Sequence, residues 1–584
     1  MPNAKIQMTN KVQNSKIDFS LKFLLVTTVF LLPLLFFQSA YNPCAIKLVF
    51  LRLMLMIGCI VWLLNSFIKS RFEFVRTKLN LPVLLFVFMG IISFVACPFK
   101  SVAYNDLLMV LSGGVLVFLI INSIKDQKSF NFIIGAIALS CTLVVSFSLA
   151  QHFGINAIIT WGGKEFASTI GQKNIFAAYM ILGFPILGSI LILSKSKWLK
   201  SLLLIFLLIS VYCFILAKSR SGYLGLMTSI IVYSALWLRT KTKNKFSSVL
   251  FIIIAAAFIW AGVAGYFAHG RITEYLASFM NEPSIVMRKI LWAGAANIIM
   301  QFPLFGTGIG TFTIFSPLYR NPVIDLCMPP EVFDVARCHN EFLQLTTEQG
   351  VLGILLFMYI LYVVFRMGLA VLKSKPDIYI IGLISGLSGL LIQSMFSISM
   401  RTTVPATYFW IFCGLITARI NIIGGNFRIF RFDIKISKLW RTLIIIIAVL
   451  VGSIHIGTNL RTFRSHMYFG KAVRLKRLGN TKDAKNACIK AISLNKNNPQ
   501  IYYKLGALYS QTQNWNMAEK AYREVIQIHP NYGIVNINLG FVLYKQGKIE
   551  EGIMALRKGV MLHNRIPKYH NMLNEMRLIR TLSK

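Results

Sequence analysis

Apolar runs long enough to cross a bilayer recur along the first 460 or so residues of this chain, separated by short polar connections. Thirteen can be read, at about 21–39, 48–67, 81–97, 106–122, 130–150, 174–194, 201–217, 221–238, 248–267, 351–372, 378–397, 403–420 and 442–457. A helix rises about 1.5 Å per residue, so about 20 apolar residues span a hydrocarbon layer about 30 Å thick. Backbone groups in that layer must be satisfied within the chain, and runs of this length satisfy them as helices. The runs at 81–97 and 442–457 are the shortest, and the division of 201–238 rests on a few polar residues. With 56% hydrophobic residues and a mean hydropathy of +0.64, a soluble domain could not hide the apolar surface. The sequence predicts an all-α, polytopic membrane helix bundle of about thirteen transmembrane helices.

Lysine and arginine orient the bundle, because cytoplasmic loops are enriched in them. With residues 1–20 (Lys5, Lys11, Lys16) in the cytoplasm, the basic clusters at Lys69/Arg71/Arg76/Lys78, Lys125/Lys128, Lys195/Lys197/Lys200, Arg239/Lys241/Lys243/Lys245, Arg366/Lys373/Lys375 and Arg428 to Arg441 all fall on that side. The formal charge of +41 is therefore topological information and not a nucleic-acid surface. No small-residue cleavage motif follows the first run, so it reads as a span and not as a signal peptide. Cys59, Cys141, Cys213 and Cys413 sit inside apolar runs and read as small core residues. Residues 21–457 form the membrane domain in this reading. The long interval 268–350 and everything after the thirteenth run face away from the cytoplasm.

From about 464 to 584 the composition becomes soluble and repeats every 34 residues. Leu505-Gly506 recurs as Leu539-Gly540, Ala484 and Ala518 are equivalent, and Pro530 closes a unit. Period and small-residue placement resemble tetratricopeptide repeats: three over 464–565, then a capping helix at 566–582. Such helix pairs stack into a concave surface suited to a protein partner, or serve only for docking and stability.

The outward connections carry the candidate chemistry. They hold Trp161-Gly162-Gly163, Gln172-Lys173-Asn174, Lys218-Ser219-Arg220-Ser221-Gly222, Arg288 with Trp292, the glycine series Gly306, Gly308 and Gly310, and His339-Asn340-Glu341. Lys218 and Arg220 run against the positive-inside bias. They either snorkel to headgroups or bind an anionic group, for which a planar guanidinium suits phosphate oxygens. The glycines lack the preceding strand and following lysine of a nucleotide loop and read as a tight turn letting backbone approach a ligand. His339 is a candidate general base. Glu341 is a rival, and on a shared helix the two would point about 200° apart. Cys327 and Cys338 would permit a disulfide in an oxidising compartment, or remain two thiols. Trp161 would stack on sugar or anchor the interface. No Asp-x-Asp element lies in these loops, so no metal or other cofactor is expected.

Taken in order, Ser219-Arg220-Ser221-Gly222, Arg288 with Trp292, Pro303 to Phe312, His339-Asn340-Glu341-Phe342-Leu343 and Glu348-Gln349-Gly350 resemble the bacterial O-antigen ligase, O-antigen polymerase and protein O-oligosaccharyltransferase superfamily. The resemblance covers about 20–420. It implies an inner-membrane, metal-independent glycosyltransferase that takes a glycan from a polyprenyl-diphosphate carrier on the periplasmic side and passes it to an acceptor hydroxyl. It further implies that Arg220 and Arg288 hold the diphosphate and His339 activates the acceptor. Lys218, Trp161, Gln172, Asn174, Gly308, Asn340 and Glu341 are then candidate substrate contacts. Gln172-Lys173-Asn174 is closer to the protein-glycosylating branch, although the acceptor, lipid A core or protein Ser/Thr, stays open. The competing readings are a polymerase joining lipid-linked units, a polysaccharide transporter or flippase, and a scaffold built around the repeats. Transport would place ionisable groups near the bilayer midplane, whereas the distinctive ones here sit at the outer edge.

Overall fold

The structure is a computed structural model and describes residues 18–42, 44–155, 168–241, 282–321, 337–425, 427–563 and 566–582. Helix α1 covers 18–31 and gives way to turns at Pro33, a residue that cannot continue a helix. The helix expected through 39 therefore ends early. Next come α2 (Ala45–Ile68), β1 (Arg71–Val75), α3 (Asn80–Ala96), α4 (Lys100–Ser123), α5 (Gln127–His152), α6 (Lys173–Leu193), α7 (Lys197–Leu216) and α8 (Arg220–Lys241). The interval expected as a long loop is partly helical, with α9 (Pro283–Gln301) and α10 (Phe312–Tyr319). The bundle closes with α11 (Glu341–Ser374), α12 (Ile378–Ser394), α13 (Thr403–Gly424), β2 (Ile429–Asp433) and α14 (Lys438–Arg477).

Among the described residues nine helices are long and apolar enough to cross a membrane, and α3 and α12 are apolar but shorter. The run expected at 248–267 lies outside the described residues. The chain is a multi-pass membrane protein of the expected all-α class. Helix α13 runs through the middle of the bundle, buried from Val404 to Ala418. A polar knot ties it in: the Tyr408 hydroxyl donates to the Val29 carbonyl (2.6 Å) and meets Ser140 Oγ, which also meets the Tyr179 hydroxyl (2.6 Å). Helices α8 and α12 cross at a pair of glycines. A Cβ on Gly225 would lie 2.7 Å from the Gly389 carbonyl, and one on Gly389 2.5 Å from that of Gly225. Membrane helices use small residues for such backbone-to-backbone crossings.

Contacts sort the two ends of the bundle. At one end β1 and β2 pair antiparallel, Arg71 opposite Asp433 and Val75 opposite Ile429, an element the all-α expectation did not contain. Lys22 meets Asp126 (2.7 Å) and Arg419 meets Asp377 (2.6 Å) there. These residues lie in, or at the run ends beside, connections that the basic-residue pattern assigns to one side. The opposite end gathers 39–42, 44, 168–174, 218–222, 282–321 and 337–341.

Helix α14 has 40 residues, about 60 Å at 1.5 Å per residue. That is twice the hydrocarbon thickness, so its apolar first half continues without a break into the first repeat. Three antiparallel pairs follow: the end of α14 with α15 (Thr481–Leu494), α16 (Pro499–Gln511) with α17 (Trp515–Ile528), and α18 (Gly533–Lys545) with α19 (Ile549–Leu562); α20 (Pro567–Leu582) covers the last. Asn480, Asn498 and Asn514 cap α15, α16 and α17 by accepting backbone N–H bonds, the usual role of asparagine there.

Candidate active site

Helix α11 is broken at Gly350, where φ is 66° and ψ −170°. A break strands carbonyls above it and N–H groups below it. The glycine loop repairs both. Thr307 N–H donates to the Thr347 carbonyl and Gly308 N–H to that of Glu348 (both 2.9 Å), while Val351 N–H donates to the Pro303 carbonyl (2.8 Å). A Cβ on Gly350 would lie 2.1 Å from the Leu304 carbonyl, and one on Gly306 2.5 Å from Glu348. At Gly308, where the sequence reading expects a ligand contact, the N–H is engaged by the α11 backbone.

Above the break lies a buried ionic network. Arg401, on a short 3-10 turn before α13, donates to Glu341 (2.9 Å) and Glu348 (3.0 Å). Glu348 also accepts from Gln344 Nε2 (3.0 Å), whose Oε1 accepts from Cys338 N–H (3.0 Å). Arg337 forks onto Asp106 of α4 at 3.0 and 3.2 Å. The Glu348 side chain is fully buried, and those of Arg401 and Glu341 are 10% and 11% exposed.

The network fixes the approach to His339. Trp292 of α9 donates its indole N–H to the Cys338 carbonyl (3.2 Å), and Asn340 caps α11 by accepting from Leu343 N–H (3.1 Å). His339 lies just outside the helix with φ of 58°, a left-handed conformation uncommon for a non-glycine residue and frequent at functional positions. His339 and Glu341 therefore do not share a helix, and Glu341 is engaged by Arg401. Burial, followed by the charge of Arg288, lowers the His339 imidazole from its ordinary 6.5 to about 4.

Arg220 is presented by the start of α8. Ser219 Oγ accepts from Gly222 N–H (3.2 Å) and donates to Asn174 Oδ1 (2.7 Å). The Asn174 carbonyl accepts from Gln393 of α12 (2.7 Å). Arg220 Nη1 contacts Glu282 at the entrance to α9. Arg288, nearly two turns further on, is lowered by burial and then by the charge of Arg220. Its Nε is buried without a hydrogen-bond partner among the described residues. Arg288 thus lies within electrostatic reach of both Arg220 and His339, with Glu282 as the nearby carboxylate. Such a set can bind a polyanion and, through a neutral imidazole, accept a proton.

The remaining expected residues are distributed as follows. Lys218 is exposed, with φ of 48°. Gln172 precedes α6, and Asn174 and Asn340 are committed to the bonds above. Cys338 is buried, which pushes its thiol up to about 12. Trp161 and Cys327 lie outside the described residues. Arg401, Arg337, Asp106 and Glu282 were missed. Arg401 lies in a connection on the same side as Arg220, so the signal that singled out Arg220, a cation opposing the positive-inside bias, was present there too.

The sequence profile of the O-antigen ligase family matches residues 203–358. The chain carries an O-antigen ligase domain. That stretch runs from α7 past the break in α11, so the O-antigen ligase domain contains Arg220, Arg288 and His339. The tetratricopeptide repeat profile matches 465–498 and 499–532. A protein of Rickettsia conorii provisionally named a polysaccharide ligase is 22% identical over 370 residues, covering 59% of this chain and 85% of its own length. One of Rickettsia typhi, provisionally named alike, is 22% identical over 359 residues, covering 59% and 84%. Among solved structures, the first tetratricopeptide repeat domain of Spaghetti (RPAP3) is 15% identical, covers 21% of this chain and 96% of its own, and has a TM-score of 0.20.

Proposed function

We propose that the O-antigen ligase domain transfers a glycan from a polyprenyl-diphosphate carrier to an acceptor hydroxyl at the periplasmic face of the inner membrane. The observation that supports this reading is that Arg288 lies within electrostatic reach of both Arg220 and His339. Basic-residue bias supports placing that end, and with it the repeats, outside the cytoplasm. The acceptor oxygen attacks the anomeric carbon as the bond from that carbon to the diphosphate oxygen breaks. The electron pair leaves with the diphosphate, where Arg220 and Arg288 offset the growing charge. The acceptor proton passes to His339. A diphosphate seated beside His339 adds negative charge and raises its basicity, so donor binding prepares the base. Direct displacement inverts the anomeric centre.

The test is transfer in proteoliposomes from a lipid-linked glycan. His339→Ala should lower the rate about 10²- to 10⁴-fold, the usual contribution of a positioned base, with inverted product in the wild type. A near-normal rate in His339→Ala, or retained configuration, would overturn the assignment. Deleting the gene separates acceptors: glycan lost from lipid A, shortened chains, or glycan missing from secreted proteins identify ligase, polymerase and protein glycosyltransferase respectively.

A further inference from the structure

The end of the bundle away from His339 holds a cavity that the proposed transfer does not use. It measures about 580 Å³, counting the space at its mouth, and lies between the start of α1, the last turns of α2 and α4, and β1. That volume is within the range of small-molecule sites, about 300–1,000 Å³. Four cations line it, Lys22, Lys69, Arg71 and Lys125, against two carboxylates, Asp18 and Glu73.

The positive-inside bias places cations at this end whatever they bind, so their number decides nothing. How each is met does. Lys22 is paired with Asp126 (2.7 Å), and Glu73 is shared by Arg71 (2.8 Å) and Arg431 (3.2 Å). Asp18 accepts from Asn65 Nδ2 (3.1 Å). Among the described residues neither Lys69 nor Lys125 has a carboxylate at ion-pair distance. These two directly follow α2 and α4, whose carbonyl ends attract cations. That attraction explains their sign but not the cavity they line. Loss of solvation there lowers the Lys125 ammonium from its ordinary value; Asp18 and Glu73 oppose the fall, and Lys69 and Lys22 add to it.

A second observation points to a ligand. Two atoms of the lining residues, Asn65 Oδ1 and Ser123 Oγ, are buried without a hydrogen-bond partner among the described residues. The two residues are 8% and 7% exposed. A buried polar atom left unpaired carries its full desolvation cost. Asn65 Oδ1 can only accept, whereas Ser123 Oγ can also donate. A ligand hydroxyl serves the first, and a phosphate oxygen takes the hydrogen of the second. Residues 1–17 carry three lysines and no carboxylate, so the charge of the preceding segment does not match this cavity.

We propose that this cavity binds a phosphate ester that also carries a free hydroxyl, as a glycerophosphate group does, with Lys69 and Lys125 as its phosphate contacts. Two sources present that chemistry at the face the basic residues assign to the cytoplasm, a lipid headgroup and a soluble glycerophosphate. Basic cavities between membrane helices on that side take lipid headgroups. The binding requires no step of glycan transfer, so it stands or falls separately from that reaction. The experiment uses the full chain in nanodiscs. One arm counts, by native mass spectrometry, the phosphatidylglycerol retained from discs that mix it with phosphatidylcholine, whose headgroup has the phosphate and lacks the hydroxyl. The other titrates sn-glycerol 3-phosphate into discs of phosphatidylcholine alone. At least one arm should saturate at one ligand per chain, and which one does identifies the source. Lys69→Gln/Lys125→Gln should weaken that binding about tenfold or more. Lys195→Gln/Lys197→Gln, an equal charge change at the exposed connection between α6 and α7, should stay within about twofold. If the first pair disturbs folding, Ser123→Ala, which keeps every charge, should still weaken binding about threefold or more. Binding in neither arm, equal loss in both lysine pairs, or wild-type binding by Ser123→Ala would overturn the proposal.

Discussion

Two arginine clusters sit at the same end of the bundle and are built in opposite ways. Arg401 is enclosed by Glu341 and Glu348 at 2.9 and 3.0 Å, with Arg337 and Asp106 paired beside it. Arg220 and Arg288 repel one another beside Glu282; among the described residues each cluster leaves one buried guanidinium nitrogen without a hydrogen-bond partner, Arg288 Nε here and Arg401 Nη2 there. A cation whose carboxylates are already in place holds structure. Arg220 and Arg288 share Glu282 among the described residues, an arrangement suited to a site that takes up an anion. On the proposed function, the contrast separates scaffold from substrate site.

The contrast breaks if substitutions on the two sides behave alike. Arg220→Lys and Arg288→Lys keep the charge and remove the planar fork. Each should lower transfer about 10²- to 10³-fold, the range for losing one oriented donor to developing charge, while the unfolding temperature barely moves. Arg401→Met should do the reverse. Losing one partner of a buried ionic network costs about 3–5 kcal/mol, so thermal unfolding of the detergent-solubilised protein should shift markedly, with activity per folded molecule largely kept. A smaller effect is expected at Gly350→Ala. The left-handed backbone and the 2.1 Å approach to the Leu304 carbonyl would force the glycine loop out of the break. Faster hydrogen exchange at Thr307 and Gly308, whose N–H groups bond across it, would report that release.

Much of the membrane bundle was legible because apolar density and length leave a spanning segment few alternatives. Helix α1 departed from its run because Pro33 overrides apolarity. The β1–β2 pair was hidden, since strands such as Arg71 to Val75 are five residues long and lie in loops read only for charge. At the site, the order of Arg220, Arg288 and His339 was readable, as was their shared side. The purpose of Glu348-Gln349-Gly350 was not. A helix break and the loop that repairs it are 40 residues apart, as Thr307 and Thr347 are, and no local pattern joins them. Arg401 and Asp106 sit at the edges of apolar runs, where a single charge reads as a boundary until its partner is seen.

His339 ties the clusters together, because Arg288 lowers its basicity and the Arg401 network holds the helix that follows it. The folded protein keeps this imidazole neutral down to about pH 4, whereas the unfolded chain takes up a proton near 6.5. The residue therefore draws stability down as pH falls from about 6.5 to about 4. The most direct measurement is the titration of His339 by NMR of selectively labelled protein, with and without a prenyl diphosphate. The imidazole should titrate near 4 in the free protein and move upward when the diphosphate binds, and Arg220→Ala/Arg288→Ala should abolish both binding and the upward shift. A diphosphate that binds with wild-type affinity to that double variant, or leaves the His339 titration unmoved in the wild type, would contradict a shared site.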